Sequence, residues 1–204
     1  MSLIVSMILG FIIDLIVGDP HGLIHPVQII GWFITKIKEG LQRLLYGCSY
    51  EEAVSQGLPR KKDGELIAGY VLTVVIVLGT FFVISGILYV ADLIHPALRF
   101  ALETFFIYQI LATKSLKRES MKVYARLKEG DLAGARKEIS YLVGRDTQEL
   151  DESEVAKADV ETIAENTADG VIAPLFFIAI GGAPLGFAYK AVNTLDSMVA
   201  YRNE

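Results

Sequence analysis

The tetrapeptide Asn-Thr-x-Asp occurs twice near the end of the sequence, at residues 166–169 and again at residues 193–196. Each copy offers an amide, a hydroxyl and a carboxylate, which can donate hydrogen bonds to a polar ligand and accept them from it. Glu165 stands directly before the first copy, and Lys190 lies three residues before the second. These residue types predict a binding site for a polar ligand.

Carboxylates recur at a spacing of four before and inside the first copy. Glu161, Glu165 and Asp169 would share one face of a regular helix. A solvated acidic face is the simpler explanation of this spacing. However, stacked carboxylates beside an apolar segment repel one another unless a cation lies between them. Mg²⁺ would serve, since it is usually held by few protein carboxylates together with substrate phosphates.

A second polar group, Gly144-Arg145-Asp146-Thr147, follows the expected end of a helix. The Arg145 guanidinium can form two parallel hydrogen bonds to a phosphate or a carboxylate. Asp146 could join a metal site or orient Arg145. A turn of this composition is more often a capping turn than a site, so both interpretations stay open.

The apolar run 171–189 between the two copies contains no charged residue and is interrupted by Gly181-Gly182-Ala183-Pro184. Each side has about ten residues, and a helix of that length spans roughly 15 Å, or half the hydrocarbon core of a membrane. One topology is a kinked spanning helix that separates the copies. The other is a re-entrant helical hairpin that returns both copies to the cytoplasmic face beside Arg145. We favour the hairpin because the repetition makes sense if both copies face one ligand.

The composition predicts an all-α, polytopic membrane helix bundle, with residues 1–204 as a single integral membrane domain. The chain is 52% hydrophobic and has a mean hydropathy of +0.44. Residues 66–91 contain no charge, which is typical of a membrane helix, although a very apolar soluble core helix is the alternative. We expect the membrane segments at about 2–17, 66–91, 96–112 and 171–189, and a cytoplasmic helical region at 113–170.

Lysine and arginine set the expected orientation. They are concentrated in the loop before residue 66 and in the 113–170 region, so both are predicted to lie in the cytoplasm. The N-terminus and the His95-Pro96 turn would then lie outside. We therefore expect a multi-pass protein of the cytoplasmic membrane whose active face is cytoplasmic. The net charge of −5 gives no support to nucleic-acid binding.

Local signals predict several finer features. Arg99 and Glu103 lie four apart and could pair, either inside the bundle or on an interfacial helix. In the 113–170 region we expect a helix break at Gly130-Asp131, a helix end at Gly144, and a capping box formed by Asp151 and Glu154. This region could also be only an interaction module. In the N-terminal loop, Asp19 is expected to have a turn or capping role.

Three blocks of sequence carry a resemblance to a known family: "DLIVGDPHGLIHPVQIIGWFI", "LVGRDTQELDESEV" and "ETIAENTADGVIAPLFFIAIGGAPLGFAYKAVNTLDSMVAYRNE". In this order they resemble the adenosylcobinamide-phosphate synthase family, a membrane amide ligase of cobalamin biosynthesis. The likeness covers essentially the whole chain, and the last block is the most specific. The phosphate-binding loop, nucleophile elbow and dinucleotide fingerprint are absent from the sequence.

The resemblance implies an ATP-dependent reaction that joins a carboxylate of adenosylcobyric acid, a corrinoid, to the amine of aminopropanol phosphate or a related amino-alcohol phosphate. An acyl phosphate is the expected intermediate, and Mg²⁺ is the expected cofactor. On this basis Glu165, Asp169 and Asp196 are candidate catalytic residues and Mg²⁺ ligands, and Asp146 is a candidate base. The candidates for phosphate and substrate contacts are Arg145, Lys190, Asn166, Asn193, Thr167 and Thr194.

One departure from the family pattern leaves alternatives open. The pattern usually continues past "YRNE" with another polar motif and more membrane segments, so we expect this sequence to be a fragment or a shortened form. Two other functions are considered. One is a non-enzymatic membrane sensor or regulator related to β-lactamase induction proteins. The other is a structural subunit that docks other cobalamin pathway enzymes through the 113–145 helices.

Overall fold

The computed structural model describes residues 2–19 and 26–199, and every regular element in these two ranges is a helix. This confirms the all-α prediction. The elements, in chain order, are α1 (Leu3–Val17), α2 (Pro26–Tyr46), α3 (Tyr50–Ser55), α4 (Lys62–Ile94), α5 (Pro96–Ile110), α6 (Thr113–Lys128), α7 (Leu132–Ser140), α8 (Glu152–Thr167), a π-helical turn (Ala168–Ile172) and α9 (Ala173–Val199).

The apolar helices α1, α2, α4, α5 and α9 enclose the larger hydrophobic core. Ile34, Ile107 and Ile178 have no exposed surface there. Helix α1 comes very close to α5 at Gly10, where an added Cβ would lie only 2.7 Å from a methyl carbon of Ile107. Glycine at this position therefore lets the two helices pack tightly, which holds the two ends of α1 in fixed positions.

Two helical stretches of the described chain are long and apolar enough to cross a membrane, namely Lys62–Ile94 and Glu152–Val199, and the second includes the interruption of α9 described below. Helix α1 is a shorter apolar helix. The predicted segments 2–17, 66–91 and 96–112 are each helical. Large apolar side chains of α4 point outward, which suits contact with lipid or another apolar surface. The multi-pass arrangement itself stays a prediction.

The charged helices α6, α7 and α8 form a second, smaller core around Val123, Ile139 and Val155. The predicted break at Gly130-Asp131 is confirmed: α6 ends at Lys128, and Oδ1 of Asp131 accepts a hydrogen bond from the Gly134 amide at 2.8 Å. The predicted capping box that opens α8 is confirmed as well, with Asp151 and Glu154 each accepting from the other's amide. The 113–170 region is therefore a packed helical unit.

The predicted end of the second charged helix at Gly144 is wrong by four residues, since α7 ends at Ser140. The amides of Leu142 and Val143 both donate to the Ile139 carbonyl, which closes the helix early. The two side chains then pack against the smaller core. Burial of these apolar residues overrides the glycine signal, because a C-terminal glycine only permits a helix end and does not require it.

Helix α9 is interrupted at Gly181 (φ −140°, ψ 21°) and Gly182 (φ 67°, ψ −165°). The residues after the interruption pack back along those before it. The rings of Phe177 and Tyr189 stack with centroids 5.0 Å apart, and an added Cβ at Gly186 would lie 2.6 Å from Ile178. The interruption predicted from Gly-Gly-x-Pro is thus present, and α9 contains two helical segments, 173–180 and 183–199, that lie against each other.

Glu103 holds this interruption in place and does not pair with Arg99. Its Oε1 accepts a hydrogen bond of 2.7 Å from the amide of Ala183, the first residue after the break. Arg99 instead lies 3.4 Å from Asp92. Charges four residues apart on a helix often pair, but Glu103 is used elsewhere. The second segment of α9 begins with buried amides that need an acceptor. A carboxylate at a helix N-terminus also interacts favourably with the helix dipole.

Candidate functional site

Asp169 lies in the π-helical turn between α8 and α9. Such turns carry one extra residue per turn and are frequent at functional sites. Oδ2 of Asp169 accepts a hydrogen bond from the side-chain amide of Asn193 at 3.2 Å, and Oδ1 accepts one from the Tyr189 hydroxyl at 3.3 Å. The carboxylate of the first Asn-Thr-x-Asp copy therefore contacts the amide of the second copy.

Lys190 is half-buried beside this pair, on the second segment of α9. Its ammonium group interacts electrostatically with three carboxylates, those of Asp14, Asp19 and Asp169. Asp14 and Asp19 come from the end of α1 and the residues after it. The site is thus built from the π-turn, the second segment of α9 and the end of α1, and its carboxylates outnumber this ammonium group.

Hydrogen bonds fasten the end of α1 to the start of α6. Asp14 is fully buried, and its Oδ2 accepts a bond of 2.7 Å from the Thr113 amide at the beginning of α6. Oδ2 of Asp19 accepts a bond of 2.7 Å from the Ser115 hydroxyl. A carboxylate at a helix N-terminus is stabilised by the amides that lack partners there. These bonds fix both carboxylates relative to Lys190.

Three members of this cluster were not among the predicted site residues: Asp14, Asp19 and Tyr189. Two of them left a signal in the sequence. Asp14 is the only charge in the otherwise apolar α1, and a buried carboxylate in an apolar helix usually has a partner or a function. Tyr189 lies four residues before Asn193, so both side chains share a face of α9. The sequence predicted only a turn or capping role for Asp19.

The other predicted residues of the two copies lie in different surroundings. Thr194 is buried, and its hydroxyl donates to the Lys190 carbonyl at 2.7 Å, so it completes the helix rather than facing a ligand. Thr167 is half-buried at the end of α8. Glu165, Asn166 and Asp196 are exposed, close in sequence to Asp169 and Asn193.

The Arg145 group lies beside α8. Nη2 of Arg145 is 3.5 Å from Oε2 of Glu161, and both side chains are about half exposed. Glu161 precedes Asp169 by eight residues, about 12 Å along a helix axis, so Arg145 is not in contact with the Asp169 cluster. Oδ1 of Asp146 accepts from the Gln148 amide, and buried Thr147 donates to a backbone carbonyl. The Asp146 contact is that of a local turn, whereas Thr147 joins this turn to Arg136 on α7.

The three predicted metal ligands do not come together. Within residues 2–19 and 26–199, no group of three or more His, Cys, Asp or Glu side chains lies close enough to hold an ion. Glu165 is exposed on α8, whereas Asp169 lies in the π-turn and contacts α9. A Mg²⁺ site with Asp169 as a protein ligand stays a prediction, and such a site would hold the ion mainly through substrate phosphates.

The cluster as a whole suits an anionic ligand that also carries an amine. Lys190 and the amide of Asn193 can contact phosphate oxygens, while the carboxylates of Asp169 and Asp19 can accept from an ammonium group. Since two of the carboxylates are fixed by bonds to the start of α6, the groups need little reorganisation to bind a ligand.

Comparison with known proteins identifies similarity to one family. A family model described as "CobD/Cbib protein" matches residues 7–204. The chain is 44% identical over 200 residues to cobalamin biosynthesis protein CobD of Clostridium perfringens, covering 98% of this chain and 58% of that protein. It is 42% identical over 201 residues to cobalamin biosynthesis protein CbiB of Salmonella typhimurium, covering 98% and 59%. The chain therefore spans less than two thirds of the length of these relatives. No solved structure matches it.

Proposed function

The chain belongs to the CobD/CbiB family, and from that premise we propose that it takes part in cobalamin biosynthesis as an ATP-dependent amide ligase. The reaction joins adenosylcobyric acid to aminopropanol phosphate, or a related amino-alcohol phosphate, and gives adenosylcobinamide phosphate. The relatives' names support the pathway, and the polar cluster around Asp169 supports the kind of chemistry. The observation that carries the proposal is the contact between Asp169 and Asn193 beside Lys190.

The reaction requires activation of a carboxylate, because a carboxylate does not react with an amine near neutral pH. The γ-phosphoryl group of ATP passes to the corrin carboxylate, which forms an acyl phosphate and releases ADP. The amine then attacks the acyl carbon, an amide bond forms, and inorganic phosphate leaves. Negative charge develops on the transferred phosphoryl group, so catalysis depends on cationic groups and hydrogen-bond donors placed around it.

Each residue of the cluster has a role in this scheme. Lys190 contacts phosphate oxygens and offsets their charge, and the side-chain amide of Asn193 is oriented by its bond to Asp169. Asp169 or Asp19 accepts a hydrogen bond from the ammonium group of the incoming amine, holds it near the acyl carbon and takes its proton before the nitrogen attacks. Mg²⁺, when bound with the phosphates at Asp169, would neutralise further charge on the transferred group. Arg145 and Asp146 lie on the approach along α8 and would contact a more distant part of the corrinoid.

The same proposal assigns the chain to the cytoplasmic membrane. The segments 173–180 and 183–199 form a re-entrant hairpin whose tip at Gly181-Gly182 lies inside the apolar bundle, and both Asn-Thr-x-Asp copies face the cytoplasm. The contacts within α9 support this arrangement, as does the concentration of basic residues in α6 to α8. A re-entrant segment is tolerated there because Glu103 supplies an acceptor at the break.

The proposal is tested with the purified chain in detergent, supplied with adenosylcobyric acid, ATP and aminopropanol phosphate. We expect amide product, measured by mass spectrometry, only when ATP is present. Lys190→Met should lower kcat/KM by about 100-fold or more, since it removes a charge that acts on the transferred phosphoryl group. Lys157→Met is the matched control, because Lys157 on α8 is 76% exposed.

Two outcomes would remove the proposal. Absence of ATP-dependent product from the folded wild-type chain would show that it is not a ligase by itself. Full activity of Lys190→Met would show that the cluster around Asp169 is not where phosphate is handled. Growth of a synthase-deficient strain on cobyric acid, with and without this chain, checks the first outcome in the cell.

A further inference from the structure

A cavity of about 600 Å³ lies between α1, α4, α5 and the break in α9. It is lined by the beginning of α1, whereas Asp14 and Asp19 lie at the other end of that helix, so it is separate from the site around Asp169. Its size is that of a small-molecule site. The polar residues and the glycine that matter for its chemistry are Ser6, Ser85, Asp92, Arg99, Glu103 and Gly182.

Glu103 is the buried charged group of this cavity, with only 8% of its surface exposed. Its Oε1 accepts from the Ala183 amide, and an added Cβ at Gly182 would lie 2.6 Å from that oxygen, so glycine is needed for the carboxylate to approach. Within residues 2–19 and 26–199, Glu103 forms no ion pair. A buried carboxylate that lacks a cationic partner is costly, and a cation bound in the cavity would offset that cost.

Arg99 lies one helical turn before Glu103, nearer the mouth of the cavity. Its side chain is 52% exposed, and its contact with Asp92 is long at 3.4 Å, so most of its five donors remain available for an anion. Residues one turn apart on a helix face have Cβ atoms about 5–6 Å apart. A guanidinium and a carboxylate on adjacent turns of one face can contact a phosphate and a primary ammonium group of the same small ligand.

Large hydrophobic side chains that are exposed also line the cavity. Tyr89 on α4 is 65% exposed, and Ile180 at the end of the first segment of α9 is 63% exposed. A free phosphorylated amino alcohol would leave these side chains in water. A phospholipid would cover them with its acyl chains while its headgroup entered the cavity, and burial of apolar surface would add to its affinity.

We propose that this cavity binds the headgroup of an aminophospholipid, with the phosphate on Arg99, the primary ammonium group on Glu103, and the acyl chains along the exposed hydrophobic residues of α4 and α9 that line it. The inference rests on the membrane location given under the proposed function but not on the ligase activity. A bound lipid would fasten the break in α9 to α5, since Glu103 would contact the lipid and Ala183 at once.

The test uses native mass spectrometry of the purified, delipidated chain in detergent. Phosphatidylethanolamine, phosphatidylglycerol and phosphatidylcholine with identical acyl chains are added at equal concentration. We expect about tenfold higher retention of phosphatidylethanolamine than of the other two. Glu103→Gln keeps an acceptor for the Ala183 amide and should abolish the preference. Arg99→Gln should weaken retention of all three lipids. Glu129→Gln is the control, because Glu129 on α6 is 65% exposed.

Equal retention of the three lipids by the wild-type chain, or an unchanged preference in Glu103→Gln, would overturn the proposal. Soluble phosphoethanolamine that competes at the same concentration as the lipid would contradict the lipid source. If Glu103→Gln does not fold, Ser85→Phe fills the cavity instead, and undiminished retention of phosphatidylethanolamine would then contradict the proposal. Flotation with vesicles of the same lipids tests membrane location separately, so its failure is distinguishable from that of the headgroup site.

Discussion

The side-chain amide of Asn193 donates a hydrogen bond of 3.2 Å to Asp169, although the two residues lie 24 positions apart. Two features of the backbone allow this contact. The π-turn at Ala168–Ile172 alters the rotation of the chain between α8 and α9, and the break at Gly181-Gly182 lets the rest of α9 return along its first segment. One residue of each Asn-Thr-x-Asp copy, Asp169 in the first and Asn193 in the second, therefore takes part in the contact beside Lys190.

Replacement of Asp169 should abolish most of the ligase activity while the chain stays folded. Asp169→Asn exchanges a charged acceptor for a neutral one, and hydrogen bonds to charged groups contribute about 1.5–3 kcal/mol each, so kcat/KM should fall by roughly 10–100-fold or more. Asn193→Ala should cause a similar loss, and the double variant should be little worse than either single variant, because the two residues act together. Initial rates of amide formation measure this.

Additive losses in the Asp169 and Asn193 variants would show that the two residues act independently. Glu149→Gln is the matched control, since it removes an exposed carboxylate from the turn before α8. Its activity should equal that of the wild-type chain.

Alanine at Gly182 should destabilise the fold. Gly182 has a positive φ of 67°, and an added Cβ would lie 2.6 Å from Oε1 of Glu103, so the substitution introduces backbone strain and displaces the capping carboxylate. A loss of about 1–3 kcal/mol is expected. Gly86→Ala is the control, because an added Cβ at Gly86 on α4 meets nothing within 4 Å and alanine favours a helix.

Thermal unfolding in detergent separates these two glycine variants. Gly182→Ala should unfold at a lower temperature than the wild-type chain, and Gly86→Ala at the same or a slightly higher one. An unchanged unfolding temperature for Gly182→Ala would show that Glu103 does not need this close approach.

The smaller core should lose stability as the pH rises through the titration of Asp159. Burial raises the pKa of this carboxyl above its ordinary value of 3.8, although a hydrogen bond from Ser120 partly opposes the shift. The folded chain therefore holds the proton more tightly than the unfolded chain. The stabilisation is fully present below the unfolded pKa and is lost as the pH rises through the folded pKa.

Asp159→Asn removes this titration. We compare the free energy of unfolding of the variant with that of the wild-type chain. The difference should shift in favour of the variant by on the order of 1 kcal/mol between about pH 3 and pH 7, because a buried charge appears only in the wild type. Denaturant unfolding followed by circular dichroism at both values measures the difference. If the difference in unfolding free energy between the variant and the wild-type chain did not change with pH, Asp159 would have the same pKa in the folded and unfolded chains, which contradicts the prediction.

The sequence predicted the helices better than the contacts between them. The uncharged run of α4, the capping box at Asp151 and the break at Gly130 are local signals, and each is confirmed because neighbouring residues decide it. The shared helix face of Glu161, Glu165 and Asp169 was inferred for a regular helix, and the π-turn could not be foreseen from the four-residue spacing. Likewise, the pairing rule for Arg99 and Glu103 takes no account of buried amides 80 residues away at Ala183.

The polar cluster around Asp169 also depends on contacts between residues that are distant in sequence. Lys190 was identified because it stands next to the second Asn-Thr-x-Asp copy. Its partners Asp14 and Asp19 are far away in sequence, and only the packing of α1 against α5 and the start of α6 brings them to it. Hydrophobic periodicity identifies which face of a helix is buried, but it does not identify the helix on the other side.

We propose that both Asn-Thr-x-Asp copies face the cytoplasm, and cysteine labelling distinguishes this topology from a spanning helix. Cys48, the single cysteine of the sequence, is replaced by serine, and one cysteine is then introduced at Ser197, at Lys157 on α8 or at His95 in the turn between α4 and α5. A membrane-impermeant maleimide should label Ser197→Cys and Lys157→Cys only in inside-out vesicles, and His95→Cys only in intact cells. Labelling of Ser197→Cys in intact cells would contradict the re-entrant hairpin and the shared cytoplasmic site.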